Sequence, residues 1–375
     1  MKIKFNPKIP KINLKIFKKK SRSSLGIDIG TASIKVVQLR GENEKFRLET
    51  YGQISTIGYL ERLNDIFQTT SLKTLEIVAR EMLRVVLEKA EVTVKSAVMT
   101  VPVFSSFVSV IEMPFMAEKE LERAIQFEAR RYVPIPLPEV ILDWRVIETG
   151  IIKNDFSPKP FKGKRVLLIA VPIEVINKYL RIADDLGIEV MALELESFSV
   201  ARSLMSQDKE SACILDVGVR ASSFTIVDKG IVQMSHSLDV GGGEMTRALA
   251  TGLGVASQRA EEFKMSYGFD HEAEKQNRTE VKEILIIPIS RITDEIERMI
   301  NSYQFKTGRK IDKIILNGGA SKLKGLVEHI RERVGIKTIE ANPWKNVIYP
   351  TVLQKTLEEI GPEFSVAVGA AMRSE

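Results

Sequence analysis

Two aspartates, each set between an aliphatic run and a glycine, are the residues of this sequence best suited to chemistry. Asp28 lies in GIDIGTASIKVV and Asp216 in CILDVGVRASSFTIV, so they occupy equivalent places in two copies of one pattern. The pattern predicts a strand, a tight glycine turn and a second strand, whose backbone N–H groups can converge on an anion. A carboxylate beside such a turn can hold the water shell of Mg²⁺. The two segments therefore predict a site for a polyphosphate and its metal ion.

Further residues of the two copies fit the same chemistry. Lys35, on the outgoing strand, can bring its ammonium group to a phosphate, while Thr31 and Ser33 can donate hydroxyl hydrogen bonds. Gly30 and Gly218 supply the two turns. A single Asp-x-Gly is more often an ordinary β-turn, so the hypothesis depends on the duplication. The two aspartates lie 188 positions apart, about half the chain, which predicts two similar domains that face each other.

The elements that must position these residues alternate between strand-like and helix-like patterns, which indicates an α/β fold. A third candidate segment, IILNGGASKLKGLVEHI, predicts a strand, the pair Gly318 and Gly319, and then a helix. A base or a sugar can approach the backbone at such a glycine pair. The P-loop pattern and the Rossmann glycine pattern do not occur in the sequence.

The order of the predicted elements divides the chain into parts. We expect a basic flexible tail over 1–24, a first domain over 25–96 and 165–208, an inserted α+β unit over 97–164, a second domain over 209–362 and a C-terminal helix over 363–375 that returns to the first domain. Deviation from simple strand and helix alternation sets the insert apart from the two domains.

The insert contains the helical pattern EKELERAIQFEARRY, which ends before Pro134. Its apolar residues fall on one stripe, namely Leu121, Ile125, Ala129 and Tyr132. Phe127 lies on another face and needs cover, while Arg130 and Arg131 suit peptide carbonyls or acids, so these three and Tyr132 are candidate partner-binding residues. Core packing is the alternative for Tyr132, and a solvated helix end is the alternative for the two arginines.

Charge and composition exclude several classes of function. The net charge is +6, but nine positive charges and no acid fall within residues 1–22, which leaves −3 for the remainder of the chain. A nucleic-acid-binding face is therefore not expected. The single cysteine, Cys213, and three scattered histidines indicate a reducing compartment without a disulfide or a histidine metal site. The tail could be a solvated arm, a contact for anionic lipid or a peptide that occupies a groove of the protein itself.

Five segments occur in the order that is typical of the actin-like ATPase superfamily, and each resembles one of its motifs. They are GIDIGTASIKVV and ILDVGVRASSFTIV for phosphate, ILNGGASKLKG for adenosine, and ELESFSVAR and SVAVGAAM for the two connecting helices. The resemblance implies an α/β, duplicated ribonuclease H-like fold of two domains with a small α+β insert, and it implies ATP and Mg²⁺ as ligands. Under it, one set of residues would face phosphate and metal and the other would meet adenosine: Asp28, Gly30, Thr31, Ser33, Lys35, Asp216 and Gly218, and Gly318 and Gly319.

The same resemblance implicates residues outside the glycine turns. DVGGGEMTRAL would place Gly241 and Gly242 near ribose and phosphate, and AEEFK would place Glu261 and Lys264 around ribose and adenine. A solvated i,i+3 ion pair is the alternative for the latter two residues. Glu196 would orient the attacking water as a general base, and a carboxylate favoured by the helix dipole is the alternative. Whether ATP is hydrolysed productively stays open.

The insert, VPVFSSFVSVIEMPFMAEKELERAIQFEARRYVPIPLPEVILDWRVI, closely resembles that of the PilM family of type IV pilus assembly. This resemblance implies a cytoplasmic protein, peripheral to the inner membrane, that binds the N-terminal cytoplasmic peptide of PilN where the insert meets the main body. It also implies contacts with other inner-membrane and motor components, and self-association is open. An FtsA-like division or filament protein and a small-molecule kinase of the same superfamily are the alternatives.

Overall fold

The computed structural model describes residues 23–42, 45–55, 72–152, 161–269 and 279–373. The tail predicted over 1–24 lies outside these ranges apart from Ser23 and Ser24, which begin the first strand. Predictions about lipid contact or groove occupation by the tail therefore stay predictions.

A six-stranded sheet carries the first of the two aspartates. Its strands are β1 (Ser23–Ile29), β2 (Ser33–Glu42), β3 (Lys45–Ser55), β4 (Ser96–Val101), β8 (Glu189–Leu195) and β14 (Val347–Ile348), in the order β14-β3-β2-β1-β4-β8. The first three strands pair antiparallel, β1 with β2 and β2 with β3, whereas β4 and β8 run parallel to β1. Parallel neighbours need long crossovers, which contain the helices α1 (Leu72–Lys89) and α3 (Ile173–Asp185).

A five-stranded sheet carries the second aspartate and repeats this arrangement. Its strands are β9 (Ala212–Val217), β10 (Ser222–Asp228), β11 (Ile231–Leu238), β12 (Lys313–Asn317) and β13 (Thr338–Glu340), in the order β11-β10-β9-β12-β13. Strand β9 is antiparallel to β10 and parallel to β12, as β1 is to β2 and β4. The duplicated α/β architecture predicted from the sequence is therefore present.

The insert forms a separate antiparallel sheet of three strands. They are β5 (Phe107–Pro114), β6 (Val140–Ile152) and β7 (Phe161–Pro172), in the order β5-β7-β6, with helix α2 (Glu118–Glu128) between β5 and β6 in the chain. Strand β4, which the predicted boundaries assign mostly to the insert, pairs with β1 and β8 in the main sheet. Strand β7 pairs within the insert sheet up to Pro172. The three-stranded sheet thus spans 107–172 rather than 97–164, because hydrogen-bonded neighbours and not composition decide which sheet contains a strand.

The buried stripe of α2 matches the predicted helical pattern except at its end. Leu121, Ile125 and Ala129 are buried, but the side chain of Tyr132 is 43% exposed and Val133 is buried in its place. The α-helix ends at Glu128, and a 3₁₀ turn over 129–131 follows. Since a 3₁₀ turn has about three residues instead of 3.6, it shifts the phase of the stripe. Placing Tyr132 on the core stripe was therefore wrong.

The remaining helices cover the five-stranded sheet or connect the two halves. Those near the five-stranded sheet are α5 (Gly242–Leu253), α6 (Ser257–Tyr267), α7 (Thr279–Thr307) and α8 (Leu326–Val334), and the connecting ones are α4 (Glu196–Met205) and α9 (Gln354–Ala371). Helix α9 packs on β1 and α4, so the end of the chain lies against the first sheet. Within the described ranges, no helix combines the length and the apolar character needed to cross a membrane.

Helix α9 can lie this close to its neighbours only because glycines stand at the contacts. A Cβ atom on Gly369 would overlap the carbonyl oxygen of Ser199 in α4, and one on Gly26 in β1 would overlap the carbonyl oxygen of Ala367. The contact with α4 is reinforced by Arg202, which donates hydrogen bonds to both oxygens of the buried Glu194 and to the Gly369 carbonyl. Backbone packing therefore fixes the two connecting helices against each other.

Replacing Gly369 with alanine is expected to lower the free energy of unfolding by about 2 to 3 kcal/mol, because the new methyl group overlaps the Ser199 carbonyl. In a helix interior without such a contact, the same change stabilises by up to about 1 kcal/mol, so the sign is diagnostic. Gly41→Ala is the matched control, since a Cβ there meets nothing within 4 Å. Chemical denaturation measures both variants, and equal stability of the two would contradict the close contact.

Candidate functional site

The first predicted hairpin forms where β1 turns into β2. Asp28 lies opposite Lys35 in the register, and the N–H of Gly30 donates to the carbonyl oxygen of Ser33 at 3.1 Å. A Cβ on Gly30 would stand only 3.0 Å from that oxygen, which explains the glycine. Thr31 lies in the turn itself and is partly exposed. The turn thus places Asp28, Lys35 and a cluster of backbone groups at one end of β1.

The second predicted hairpin repeats the residue spacing and the backbone hydrogen bond of this turn. Asp216 lies opposite Ser223, and the N–H of Gly218 donates to the carbonyl oxygen of Ala221 at 3.1 Å. A Cβ on Gly218 would again stand 3.1 Å from the accepting oxygen. Both turns have the same spacing from aspartate to glycine to accepting carbonyl. The difference lies opposite the aspartate, where Lys35 has Ser223 as its counterpart, so the ammonium group belongs to the first hairpin alone.

Asp28 is a buried carboxylate whose negative charge is only partly offset by its neighbours. The Lys35 ammonium nitrogen lies 3.9 Å from its Oδ2, and the Thr100 hydroxyl donates to Oδ1 at 3.3 Å. Burial raises the pKa of Asp28, while the positive charge of Lys35 and the hydrogen bond from Thr100 oppose that rise. Burial is the largest of these effects on the pKa. The ionised carboxylate of Asp28 would therefore be stabilised by a further positive partner.

Asp216 has an amide partner where Asp28 has a hydroxyl. The side-chain nitrogen of Asn317, the last residue of β12, donates to Asp216 Oδ2 at 2.6 Å. Burial raises the pKa of Asp216 to about 6, and the negative charge of Asp28 adds to the rise. The two aspartates therefore share one electrostatic environment although they come from different sheets.

Glu196 brings a third carboxylate to the same place. It is the first residue of α4, is half-buried, and lies near the backbone N–H of Val103. Burial raises the pKa of Glu196 well above its ordinary value, and the negative charges of Asp28 and Asp216 raise it further. This cluster of three acids and Lys35 carries an excess of negative charge inside the protein.

A divalent cation fits this cluster, because its charge would stabilise the ionised form of three carboxylates whose pKa values burial raises. Carboxylate oxygens are also the donors that Mg²⁺ prefers. The described part of the chain contains no group of three or more His, Cys, Asp or Glu side chains that could hold a metal ion by themselves. A Mg²⁺ ion would therefore be bound through water and ligand oxygens, with Asp28 and Asp216 nearest to it.

Gly241 and Gly242 lie directly on the second hairpin. The N–H of Gly242 donates to the Gly218 carbonyl at 2.8 Å, and that of Gly243 donates to the Val219 carbonyl at 2.8 Å. A Cβ on Gly241 would stand 2.5 Å from the Gly218 oxygen. Gly242 is also the first residue of α5, so these hydrogen bonds fix the start of that helix on the turn.

Glu261 and Lys264 of α6 meet the start of α5. The Lys264 ammonium donates to Glu261 at 2.6 Å, to the Thr246 hydroxyl at 2.8 Å and to the Gly242 carbonyl at 3.0 Å. Only 5% of the Lys264 side chain is exposed, whereas Glu261 is about half-exposed. A solvated helix pair therefore does not describe Lys264, which is held against Gly242.

Gly318 and Gly319 follow β12 beside Asp216. Gly318 has a φ of +83°, and a Cβ there would stand 2.5 Å from Asp216 Oδ1. Its N–H donates to the carbonyl oxygen of Pro362 in α9 at 3.0 Å. A Cβ on Gly319 meets nothing within 4 Å, so this glycine borders open space. Gly318 thus lies against Asp216 and α9, beside the second hairpin.

Three residues of the cluster escaped the sequence analysis. Thr100 and Asn317 lie near the ends of β4 and β12, the strands parallel to β1 and β9, and a search for polar residues at such strand ends could have found them. Tyr179 of α3 is buried, and burial raises the pKa of its hydroxyl group. The negative charges of Glu196 and Asp28 add to that rise, so Tyr179 lies near these acids. Its position in a helical pattern gave no signal of this role.

The predicted partner residues do not lie together. Phe127 is 69% exposed with the guanidinium of Arg130 5.8 Å from its ring centre, and Arg131 pairs with Glu128 at 2.7 Å. Tyr132 instead lines a cavity of about 370 Å³ between the insert and β11. Other lining residues include Val103, Phe104, Phe107, Leu168 and Ser237. Phe127, Arg130 and Arg131 are outside that lining.

Solved structures of similar fold carry the comparison across the whole chain. The PilM-PilN type IV pilus biogenesis complex superposes with a TM-score of 0.77 at 23% identity, covering 93% of this chain and 98% of that chain. MreB5 of Spiroplasma citri bound to AMPPNP superposes with a TM-score of 0.50 at 12% identity, covering 94% and 95%. At these identities the likeness establishes the fold, which is the predicted actin-like arrangement of two domains.

Sequence relatives and a family model give the family. Cell division protein FtsA of Staphylococcus epidermidis is 20% identical over 346 residues, which cover 84% of this chain and 73% of FtsA. FtsA of Bacillus subtilis is 22% identical over 275 residues, covering 70% and 62%. The family model for type IV pilus assembly protein PilM matches residues 26–375. Because that match extends over nearly the whole sequence, the chain belongs to the PilM family of type IV pilus assembly proteins.

Proposed function

We propose that this chain binds Mg-ATP between its two hairpins. The observation that carries the proposal is the pairing of two equivalent turns whose aspartates, Asp28 and Asp216, share one buried negative cluster with Lys35 and Glu196. Such a cluster is stabilised by a divalent cation, and the N–H groups around the turns suit phosphate oxygens. Binding of AMPPNP by the structurally similar MreB5 supports the choice of an adenine nucleotide.

Each part of the cleft would have a separate role in this proposal. Asp28 and Asp216 hold the water shell of Mg²⁺, and Lys35 contacts phosphate, with Gly30, Thr31, Ser33 and Gly218 forming the turns around it. The ribose and base meet the remaining residues, namely Gly241, Gly242, Glu261, Lys264, Gly318 and Gly319. Glu196 orients a water molecule. The carboxyl group of Glu196 would lose its own proton more easily when a cation offsets the charges of Asp28 and Asp216. Bound Mg²⁺ would supply the charge that draws the phosphate oxygens together.

We further propose that the chain acts as a cytoplasmic assembly adaptor at the inner membrane. Its partner would be the N-terminal cytoplasmic peptide of a PilN-like protein, as membership of the PilM family and the PilN complex of a structural neighbour support. The cavity lined by Tyr132, Phe104 and Leu168 lies where the insert meets the second half, and its aromatic wall suits an apolar peptide side chain. Phe127, Arg130 and Arg131 would contact the partner only outside this cavity.

Asp28→Asn tests the nucleotide site. Mg-ATP at about 100 times its Kd is expected to stabilise the parent chain by about 2.7 kcal/mol, and the variant is expected to lose that gain because a charged ligand for the metal shell is removed. Thermal unfolding with and without Mg-ATP measures the difference. Asp184→Asn, on the exposed face of α3, is the control and should keep the gain. An equal upward shift for Asp28→Asn and the parent would contradict the assignment.

Asp216 should make the ligand-free protein less stable as the pH rises. Its pKa is about 6 in the folded chain and 3.8 as the ordinary value, so between these two pH values the folded state binds more protons than the unfolded state. The free energy of unfolding contributed by Asp216 therefore falls through this range as pH increases. Denaturant unfolding at a series of pH values is expected to show a weaker fall for Asp216→Asn than for the parent or Asp184→Asn. Identical slopes for all three would rule the effect out.

Tyr132→Ala tests the partner cavity. Removing this aromatic wall is expected to weaken binding of a synthetic PilN N-terminal peptide by at least about tenfold, as is usual for a buried aromatic contact. Phe127→Ala, which removes an exposed aromatic of the same insert, is expected to change the affinity by less than about threefold. Fluorescence anisotropy of a labelled peptide gives both values. A larger effect of Phe127→Ala would move the peptide from the cavity to the exposed face of α2.

A further inference from the structure

Arg220 and Phe104 form a contact between the second hairpin and the entry to the insert. Arg220 lies in the turn between Gly218 and Ala221, and its guanidinium carbon is 4.5 Å from the centre of the Phe104 ring. Phe104 belongs to a 3₁₀ turn, Val103–Ser105, that follows β4 of the first sheet. The ring electrons attract a cation at this distance. A residue of one proposed phosphate turn is therefore docked on the chain that leads into the partner-binding insert.

The same 3₁₀ turn lies close to Glu196. Burial raises the pKa of Glu196 and the backbone N–H of Val103 opposes that rise, while the next residue, Phe104, accepts Arg220 on its ring. Arg220 itself lies in the turn that follows Gly218, which belongs to the proposed phosphate site. Nothing in the sequence pattern assigned Arg220 to the site.

Arg220 is held weakly enough to change partners. About half of the Arg220 side chain is exposed. Its charged neighbour is Asp239, with 3.6 Å between Arg220 Nε and Asp239 Oδ1. The Asp239 side chain is 80% exposed, so solvent screens this pair strongly. Charge-assisted hydrogen bonds from arginine to phosphate oxygens are stronger than an exposed stacking contact. A phosphate within reach would therefore compete successfully for this guanidinium.

Phe104 has a second face in the partner cavity. It lines the 370 Å³ cavity together with Val103, Phe107 and Tyr132. Because the ring forms part of the wall, any shift of Phe104 changes the shape of the cavity. The contact with Arg220 thus joins the second hairpin to the proposed peptide site through a single aromatic ring.

We propose that Arg220 is a further phosphate-contacting residue whose guanidinium exchanges between the Phe104 ring and the terminal phosphate of a bound nucleoside triphosphate. The inference rests on the proposed function and deepens it, since it names how the state of the nucleotide reaches the partner cavity. A triphosphate draws Arg220 off the ring and lets the Val103–Ser105 turn shift. A diphosphate lacks the group that competes for Arg220 and leaves the contact in place.

The first test measures nucleotide affinity in the full chain by calorimetry with Mg²⁺. Arg220→Gln is expected to raise the Kd for ATP about tenfold and to change the Kd for ADP by less than about twofold, because only ATP has the terminal phosphate. Arg84→Gln, which removes a surface arginine of α1 paired with Glu81 and Glu88, is the control and should alter neither value. Equal weakening of both nucleotides by Arg220→Gln, or none, would overturn the inference.

The second test reports on the ring directly. Phe104→Trp is expected to change its emission on addition of Mg-ATP and not of Mg-ADP, and adding Arg220→Gln to this variant should abolish the change. The parent chain, which contains Trp144 and Trp344, gives the background signal. Should ATP bind in calorimetry while emission is the same with both nucleotides, the relay is wrong and the proposed nucleotide site stands. A parent chain that binds no ATP would remove both.

Discussion

Negative charge confined between two hairpins is the constraint on which the rest of this structure depends. Asp28, Asp216 and Glu196 come from β1, β9 and α4, so no single element could bring them together. Burial raises the pKa of all three, the charge of Asp28 adds to the rise at Asp216 and Glu196, and Lys35 offsets only part of the effect. Packing elsewhere must hold these carboxylates close to each other in spite of that cost. A divalent cation, bound together with a phosphate-bearing ligand, is the counterpart that we propose for such an arrangement.

The connecting helices provide that packing. Helix α4 carries Glu196 at its first residue, presents the Ser199 carbonyl to Gly369 of α9, and ties itself to Glu194 through Arg202. Arg373, just beyond α9, donates to the same Glu194 carboxylate at 2.6 Å. Because these contacts involve backbone atoms and buried charges, Glu196 is positioned by a rigid element rather than by a loop. The closeness of α4 and α9 thus determines where the third acid stands.

Local pattern was enough to predict the fold class and the two hairpins, because an aspartate, a glycine and two flanking strands are contiguous in the chain. The actin-like fold and the family are confirmed, while the roles of the site residues stay predictions. Pattern was insufficient wherever distant partners decide the outcome. Thr100 and Asn317 join the site through parallel pairing, and β4 belongs to the main sheet for the same reason. Tyr132 became exposed because one 3₁₀ turn altered the helical phase.

Strand β1 has a consequence for the orientation of the molecule. Its first residue, Ser23, pairs with Arg40, while Asp28 lies next to the turn at the other end. Five residues of extended strand separate the two points by roughly 17 Å. Residues 1–22 are therefore attached at the end of β1 that is remote from the acidic cluster. Whatever binds this positively charged segment would therefore join the protein at the end of β1 opposite Asp28.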